Sequence, residues 1–182
     1  MTGDSRVTNE SGGRSLPKFF LLVFVLSIPF WILGSIVHIQ ILPSIPISAL
    51  MIVSPALAAL ILAYQDQKLA GVKVLLVRAF DFNRVKKQVW WLPTILLMPG
   101  ILTLSYMVMY VMGVPLHVPD FSIATVLIFI GLFFIAALVE ELGWSGYAID
   151  PLQNHFGALR GSLILGAVWV VWHIIPLLQV PQ

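Results

Sequence analysis

At 182 residues the chain has the length of one domain, but 59% of it is hydrophobic and only 10% is charged, far from the balance of a soluble protein. So few polar groups cannot cover a soluble globule, and apolar runs of about 18 residues or more recur along the chain. The composition therefore predicts an all-α, polytopic transmembrane helical bundle with about five spans. The ten Lys and Arg form no patch interleaved with aromatics, which excludes nucleic acid as a partner. The absence of cysteine excludes disulfides, thiolate metal sites and a cysteine nucleophile.

Residues 1–18, polar and rich in Gly and Ser, read as a flexible cytoplasmic tail with no chemistry of its own. Three spans are expected over 19–111. The first, Phe19 to Ile39, is long enough to cross a bilayer and contains Pro29, which predicts a kink. A turn at ILPSIPI leads to the second, Ile45 to Tyr64. The segment 65–88 then carries six Lys/Arg against two Asp. Its Leu69, Val72, Leu75, Leu76 and Phe80 recur at near-helical spacing, which suits a helix lying in the membrane interface, and a solvated basic loop is the alternative. Trp90 and Trp91 sit where an interfacial aromatic anchor belongs, at the start of a third span from Val89 to Val111. After the turn PLHVPD, the region 121–182 supplies a fourth apolar run from Phe121 and a fifth from Ser162 to Val180.

Lys and Arg resist translocation. With a cytoplasmic amino terminus, all ten (Arg6, Arg14, Lys18, Lys68, Lys73, Arg78, Arg84, Lys86, Lys87 and Arg160) fall in inner segments. That bias predicts a multi-pass protein of the cell membrane, starting inside and finishing outside, with membrane lipid as its first partner.

Glu140, Glu141 and His173 are the ionisable side chains set within apolar helical sequence rather than at its ends. The fourth helix is expected to continue past the two glutamates to a break at Asp150-Pro151, because proline disfavours helix in the residue before it. Counted from that break, Glu140 and His173 reach similar depth on antiparallel neighbouring helices. Ionisable groups are costly within a membrane, so such a cluster points to function, a polar staple between helices being the bland alternative. Glutamate withdrawn from water is suited to accept a proton from a water molecule and return it to a leaving amine, and the histidine can hold that water or shuttle the proton. Successive helical residues point about 100° apart, so the two glutamates cannot both face one water. Trp144 and Trp169 lie one turn from Glu140 and His173, where they can wall a site or simply pack.

At these residues the chain resembles the CPBP intramembrane proteases, the CAAX protease and bacteriocin-processing or Abi family. Members carry Glu-Glu-x-x-x-Arg on one transmembrane helix and Phe-x-x-x-His on the next; EELGWS and WVVWH stand in those places. The resemblance extends through GYAIDPLQNHFGALRGSLILGAVWVVWHIIP. It implies a helical membrane fold with a site open to the cytoplasm, Glu140 as general base, Glu141 as supporting acid and His173 as partner on the water. The implied activity is endopeptidase cleavage of membrane-bound peptides, prenylated proteins or bacteriocin precursors. Ser145 replaces the motif arginine and Trp169 the phenylalanine. The family's third motif, His-x-x-x-Asn on a later helix, has no counterpart here, and a fragment or shortened member of low activity is expected. Oxyanion stabilisation is the contribution that would be lost.

No cofactor is expected. Zinc on Glu140, Glu141 and His173 is the minority reading, since a catalytic zinc generally takes three protein ligands and no HExxH supplies them. His38 and His117 belong to the opposite face, and His155 reads as a surface or packing histidine. Ser145 has no base within one turn and bonds locally instead of serving as a nucleophile. The alternative to a protease is a non-catalytic relative with an immunity or scaffold role, or a proton-coupled transport module using Glu140 and His173.

Overall fold

The structure is a computed structural model and describes residues 14–42, 45–81, 87–115 and 122–180. Most of the expected tail, together with Arg84, Lys86, His117 and Phe121, lies outside the described residues. Among the described residues the chain is helical, with five stretches long and apolar enough to cross a membrane: Leu16–Ile36, Ile47–Arg78, Gln88–Val111, Ile123–Phe156 and Ala158–Leu178. It is an integral multi-pass membrane protein.

Two compact units divide the chain: Met1–Phe80 with Gly131–Gln182, and Asp81–Ile130. In the first, α1 (Leu16–Ile36) begins earlier than expected because Pro17 falls in its first turn, where the missing N–H is no loss. It also ends earlier, at Ile36 instead of Ile39, since Val37 is already extended. The expected turn at ILPSIPI is a small antiparallel hairpin, β1 (Gln40–Leu42) against β2 (Ile45–Pro46). The second span then starts as a 3-10 helix over Ile47–Val53 and passes into α2 (Ser54–Arg78). It thus runs well past Tyr64, so much of the basic segment is helix rather than solvated loop. Its backbone leaves helical geometry at Gln67 and Lys68.

The second unit holds α3 (Trp91–Val111), entered through a 3-10 turn at Gln88–Trp90, and the first residues of α4 (Ile123–Gly143). No residue of α3 is buried, and apolar residues on all sides suit a helix meeting lipid.

The rest of α4 belongs to the first unit. There the helix does not break at Asp150-Pro151. A π turn, Trp144–Ala148, joins α4 to α5 (Ile149–Phe156), and Pro151 sits in the first turn of α5, where it needs no N–H partner. The reversal comes at Gly157, whose φ of 80° favours glycine, and α6 (Ala158–Leu178) follows. Gly161 lets α5 lie on α6, since a Cβ there would come within 2.9 Å of the Leu152–Gln153 backbone.

The core of this unit is built from Phe19, Val23, Met51, Ala58, Ala59, Leu62, Leu75, Trp144, Tyr147, Ala148 and Trp172. Small residues on α2 let the aromatics of α1, the π turn and α6 fill the space between. Gly143 stands against Pro55 so closely that a Cβ would meet its carbonyl oxygen at 2.4 Å. At one end, Arg14 Nη1 donates to the carbonyls of Gly146 and Tyr147, each at 3.3 Å, and Arg78 pairs with Asp150. At the other end, the Gln179 amide donates to Trp31 O at 3.0 Å and Ser35 Oγ at 2.8 Å. The carboxy-terminal ends of α1 and α6 therefore adjoin, and the two helices run in the same direction.

Candidate active site

Glu140 lies near the end of α4, one turn before the π turn, and is 9% exposed. Its Oε1 accepts two indole N–H bonds: Trp144 Nε1 at 3.1 Å from the next turn, and Trp169 Nε1 from α6. Both donors converge on one oxygen, which leaves Oε2 for another partner. Carboxylates gain more from such donors than neutral acceptors do, and more so away from water.

Packing fixes the two indoles in different ways. Trp144 is 2% exposed and meets Phe19 and Trp172 edge-on, with ring centroids at 5.6 and 5.5 Å. Trp172 is itself tied to α1, because its Nε1 donates to Ser27 Oγ at 2.7 Å while Ser27 donates to Val23 O at 2.7 Å. Trp169 is more open and is held by His173, the ring centroids lying 4.0 Å apart. The two rings are tilted by 48° to one another.

His173 follows Trp169 by one turn of α6, and its Nδ1 is 3.0 Å from Trp169 O. A carbonyl only accepts, so Nδ1 is the donor in this bond. The imidazole is within Coulombic reach of Glu140. Among the described residues, however, the hydrogen-bond partners of the Glu140 carboxylate are the two indoles and not the imidazole. Trp169 stands between the motifs, bonded to the glutamate through its Nε1 and in ring contact with the histidine.

Glu141 points elsewhere, as helical geometry requires. It is exposed and accepts a bond from Ser145 Oγ, so the serine in the place of the motif arginine gives Glu141 a neutral donor instead of a cation. Both line a cavity of about 230 Å³ with Trp144, Ile149, Ser162, Leu165, Gly166 and Trp169. The cavity runs between the π turn and α6, against the two indoles that hold Glu140.

The structure thus brings Glu140, Trp144 and Trp169 into one bonded group, sets His173 against it, and turns Glu141 towards the cavity. Glu140, Glu141 and His173 do not converge as zinc ligands. Among the described residues no three His, Cys, Asp or Glu side chains gather in a way that could hold a metal ion. His155 is exposed in the last turn of α5, beside Phe156.

Sequence reasoning missed Trp172, Ser27, Arg14 and the Arg78–Asp150 pair. A serine in the middle of the apolar first span and a second tryptophan one turn from Trp169 were the available signals for the Ser27–Trp172 bond. Nothing local marked Arg14, whose acceptors are more than 130 residues away.

Residues 122–181 match the family described as Type II CAAX prenyl endopeptidase Rce1-like. Over 169 residues the chain is 28% identical to "CAAX prenyl protease 2" of Methanococcus maripaludis, an alignment that covers 86% of this chain and 61% of that protein. The chain therefore spans about three-fifths of the length of this curated relative. No solved structure matches it.

Proposed function

We propose that this chain is an intramembrane endopeptidase of the CPBP, CAAX-protease type, acting on a membrane-associated, prenylated peptide; its similarity to Rce1-like CAAX prenyl endopeptidases over residues 122–181 supports the reading. The observation that carries the reading is the buried Glu140 carboxylate, with both indole donors on Oε1 and Oε2 left for a water. Glu140 is the general base: Oε2 takes a proton as the water oxygen attacks the scissile carbonyl carbon. The same proton then passes to the leaving amine as the C–N bond breaks, and the carboxylate is restored. His173 holds the water through Nε2. Trp144 and Trp169 are positioning residues for Glu140. Glu141 orders the wall of the cavity through Ser145, where the substrate backbone lies. In the membrane the amino terminus faces the cytoplasm, which places the Arg14 and Arg78 end of the molecule on that side.

The test is cleavage of a prenylated CAAX-type peptide by the purified chain in detergent. Glu140→Gln keeps the shape and removes the base, so cleavage should fall to background with thermal stability unchanged. His173→Ala should lower it by about tenfold or more. Cleavage that survives Glu140→Gln would overturn the assignment, and cleavage lost to a chelator and restored by zinc would require a metal in the reaction.

A further inference from the structure

The helix after the second span has an outward face that the mechanism does not use. α2 is two helices in tandem, because Lys68 has a φ of 53° and a ψ of −141°; it is the one non-glycine residue with positive φ among those described. Gly71 lies so near Ala63 that a Cβ would sit 2.4 Å from its carbonyl oxygen. Residues eight apart in an unbroken helix are separated by about 12 Å along the axis. The chain therefore turns across the end of its own first half.

Length places this turn at the membrane surface. The 3-10 stretch Ile47–Val53 has seven residues and Ser54 to Gln67 fourteen, which at about 2 Å and 1.5 Å each span roughly 35 Å. A hydrocarbon core is about 30 Å thick. The break thus falls in the polar run Gln65-Asp66-Gln67-Lys68, where the span has just been completed.

Beyond it, residues 69–80 have two faces. Gly71 and Leu75 point inward, Leu75 against Gly146 of the π turn, and Arg78 is committed to Asp150. The opposite stripe, at positions 69, 73, 76 and 80, presents Leu69 (75% exposed), Lys73, Leu76 and Phe80 (65%). A helix meeting only water would carry polar side chains there. Lys68 lies at the head of this stripe, its Nζ 5.3 Å from the Tyr64 ring centroid, and in sequence Arg84, Lys86 and Lys87 follow directly. An outward apolar stripe at the bilayer surface, bordered by cations, is complementary to anionic lipid. Neither the apolar residues nor the cations alone would specify it.

We infer that the end of α2 after Lys68, with the turn at Ala79 and Phe80, is an interfacial segment that lays Leu69, Leu76 and Phe80 into the acyl boundary and sets Lys68 and Lys73 on the phosphates of anionic membrane lipids. Lys73, within the stripe, keeps its stem along the apolar surface and raises its ammonium to the headgroups. Because the inward face of the same helix touches Gly146 and Asp150, the lipid-bound helix also braces the π turn that carries Trp144.

The full chain has no cysteine, so spin labels can be placed singly at Leu69→Cys, Leu76→Cys, Phe80→Cys and Gln65→Cys and the protein reconstituted in bilayers. In phosphatidylcholine containing about 30 mol% phosphatidylglycerol, the three stripe labels should show an oxygen-to-nickel-chelate accessibility ratio at least about threefold above that at Gln65. Pure phosphatidylcholine, or Lys68→Gln with Lys73→Gln, should bring the ratio back towards the Gln65 value. Stripe labels as open to the nickel chelate as Gln65 would overturn the inference, and labels shielded from both reagents would mean a protein partner. A high ratio indifferent to lipid charge and to the lysines would also overturn the assignment to anionic lipid.

Discussion

Two indole N–H groups on one carboxylate oxygen do more than neutralise a buried group: they decide which oxygen of Glu140 is free to act. Trp169→Phe keeps a ring against His173 and removes one donor, a bond to a charged group worth about 1.5–3 kcal/mol. If the bond serves the transition state, turnover should fall about ten- to a hundredfold, with little change in KM. The loss should vanish in a Glu140→Gln background, because residues acting through one group are not additive; equal losses in both backgrounds would make Trp169 a packing residue only. Ser145 offers a second test, since its hydroxyl now serves Glu141 from an exposed position. Ser145→Arg should restore a cation beside Glu141 and leave cleavage equal or higher, and that gain should disappear with Glu141→Gln.

Glycine decides how closely the elements that carry these residues approach. The end of α4 rests on the start of α2 only because Gly143 has no side chain, and the Cβ of alanine would overlap Pro55 backbone that cannot rotate away. Gly143→Ala should therefore destabilise the protein by about 1–3 kcal/mol, read as a lower thermal midpoint in detergent. Gly166→Ala in α6 meets nothing within 4 Å and should be neutral or slightly stabilising by helix propensity. The π turn follows the same logic: it adds a residue between Glu140 and Asp150, and π turns often accompany functional sites. Arg14 supports it from a distant part of the chain by donating to the Gly146 and Tyr147 carbonyls. Arg14→Gln should loosen this turn and lower activity more than stability, which paired thermal and cleavage assays would separate.

At the scale of the whole molecule, the first and fifth spans are expected to point the same way, since four crossings, an even number, separate the start of the first from the start of the fifth. In the structure Ser35 and Gln179 are hydrogen-bonded across the ends of α1 and α6. Ser35→Cys with Gln179→Cys should therefore be cross-linked by a short bifunctional thiol reagent. Absolute orientation is a separate matter and follows from the ten cations. A cysteine at Asn154 should react with an impermeant reagent from the cytoplasmic side and one at His38 from the other. Labelling of His38 from the cytoplasm would reverse the molecule in the membrane.

Composition and hydropathy alone determined that this chain lives in a bilayer and crosses it about five times, because the cost of placing polar groups in hydrocarbon acts on each segment separately. They also singled out Glu140, Glu141 and His173, since charge within an apolar helix is visible without knowing what surrounds it. The helix boundaries were less legible: the break expected at Asp150-Pro151 is a continuous π-to-α passage, and the second span extends through a kink to Arg78. Those outcomes depend on carbonyls being satisfied from elsewhere, by Arg14, and on a turn packed against Ala63. Only the tertiary structure decided that the hydrogen-bond partners of Glu140 among the described residues are Trp144 and Trp169, with His173 against the second. Sequence spacing ranks neighbours along one helix, whereas which indole of α6 reaches across to α4 is set by the glycine contacts and by the Ser27–Trp172 bond that locks the rotation of α6 against α1.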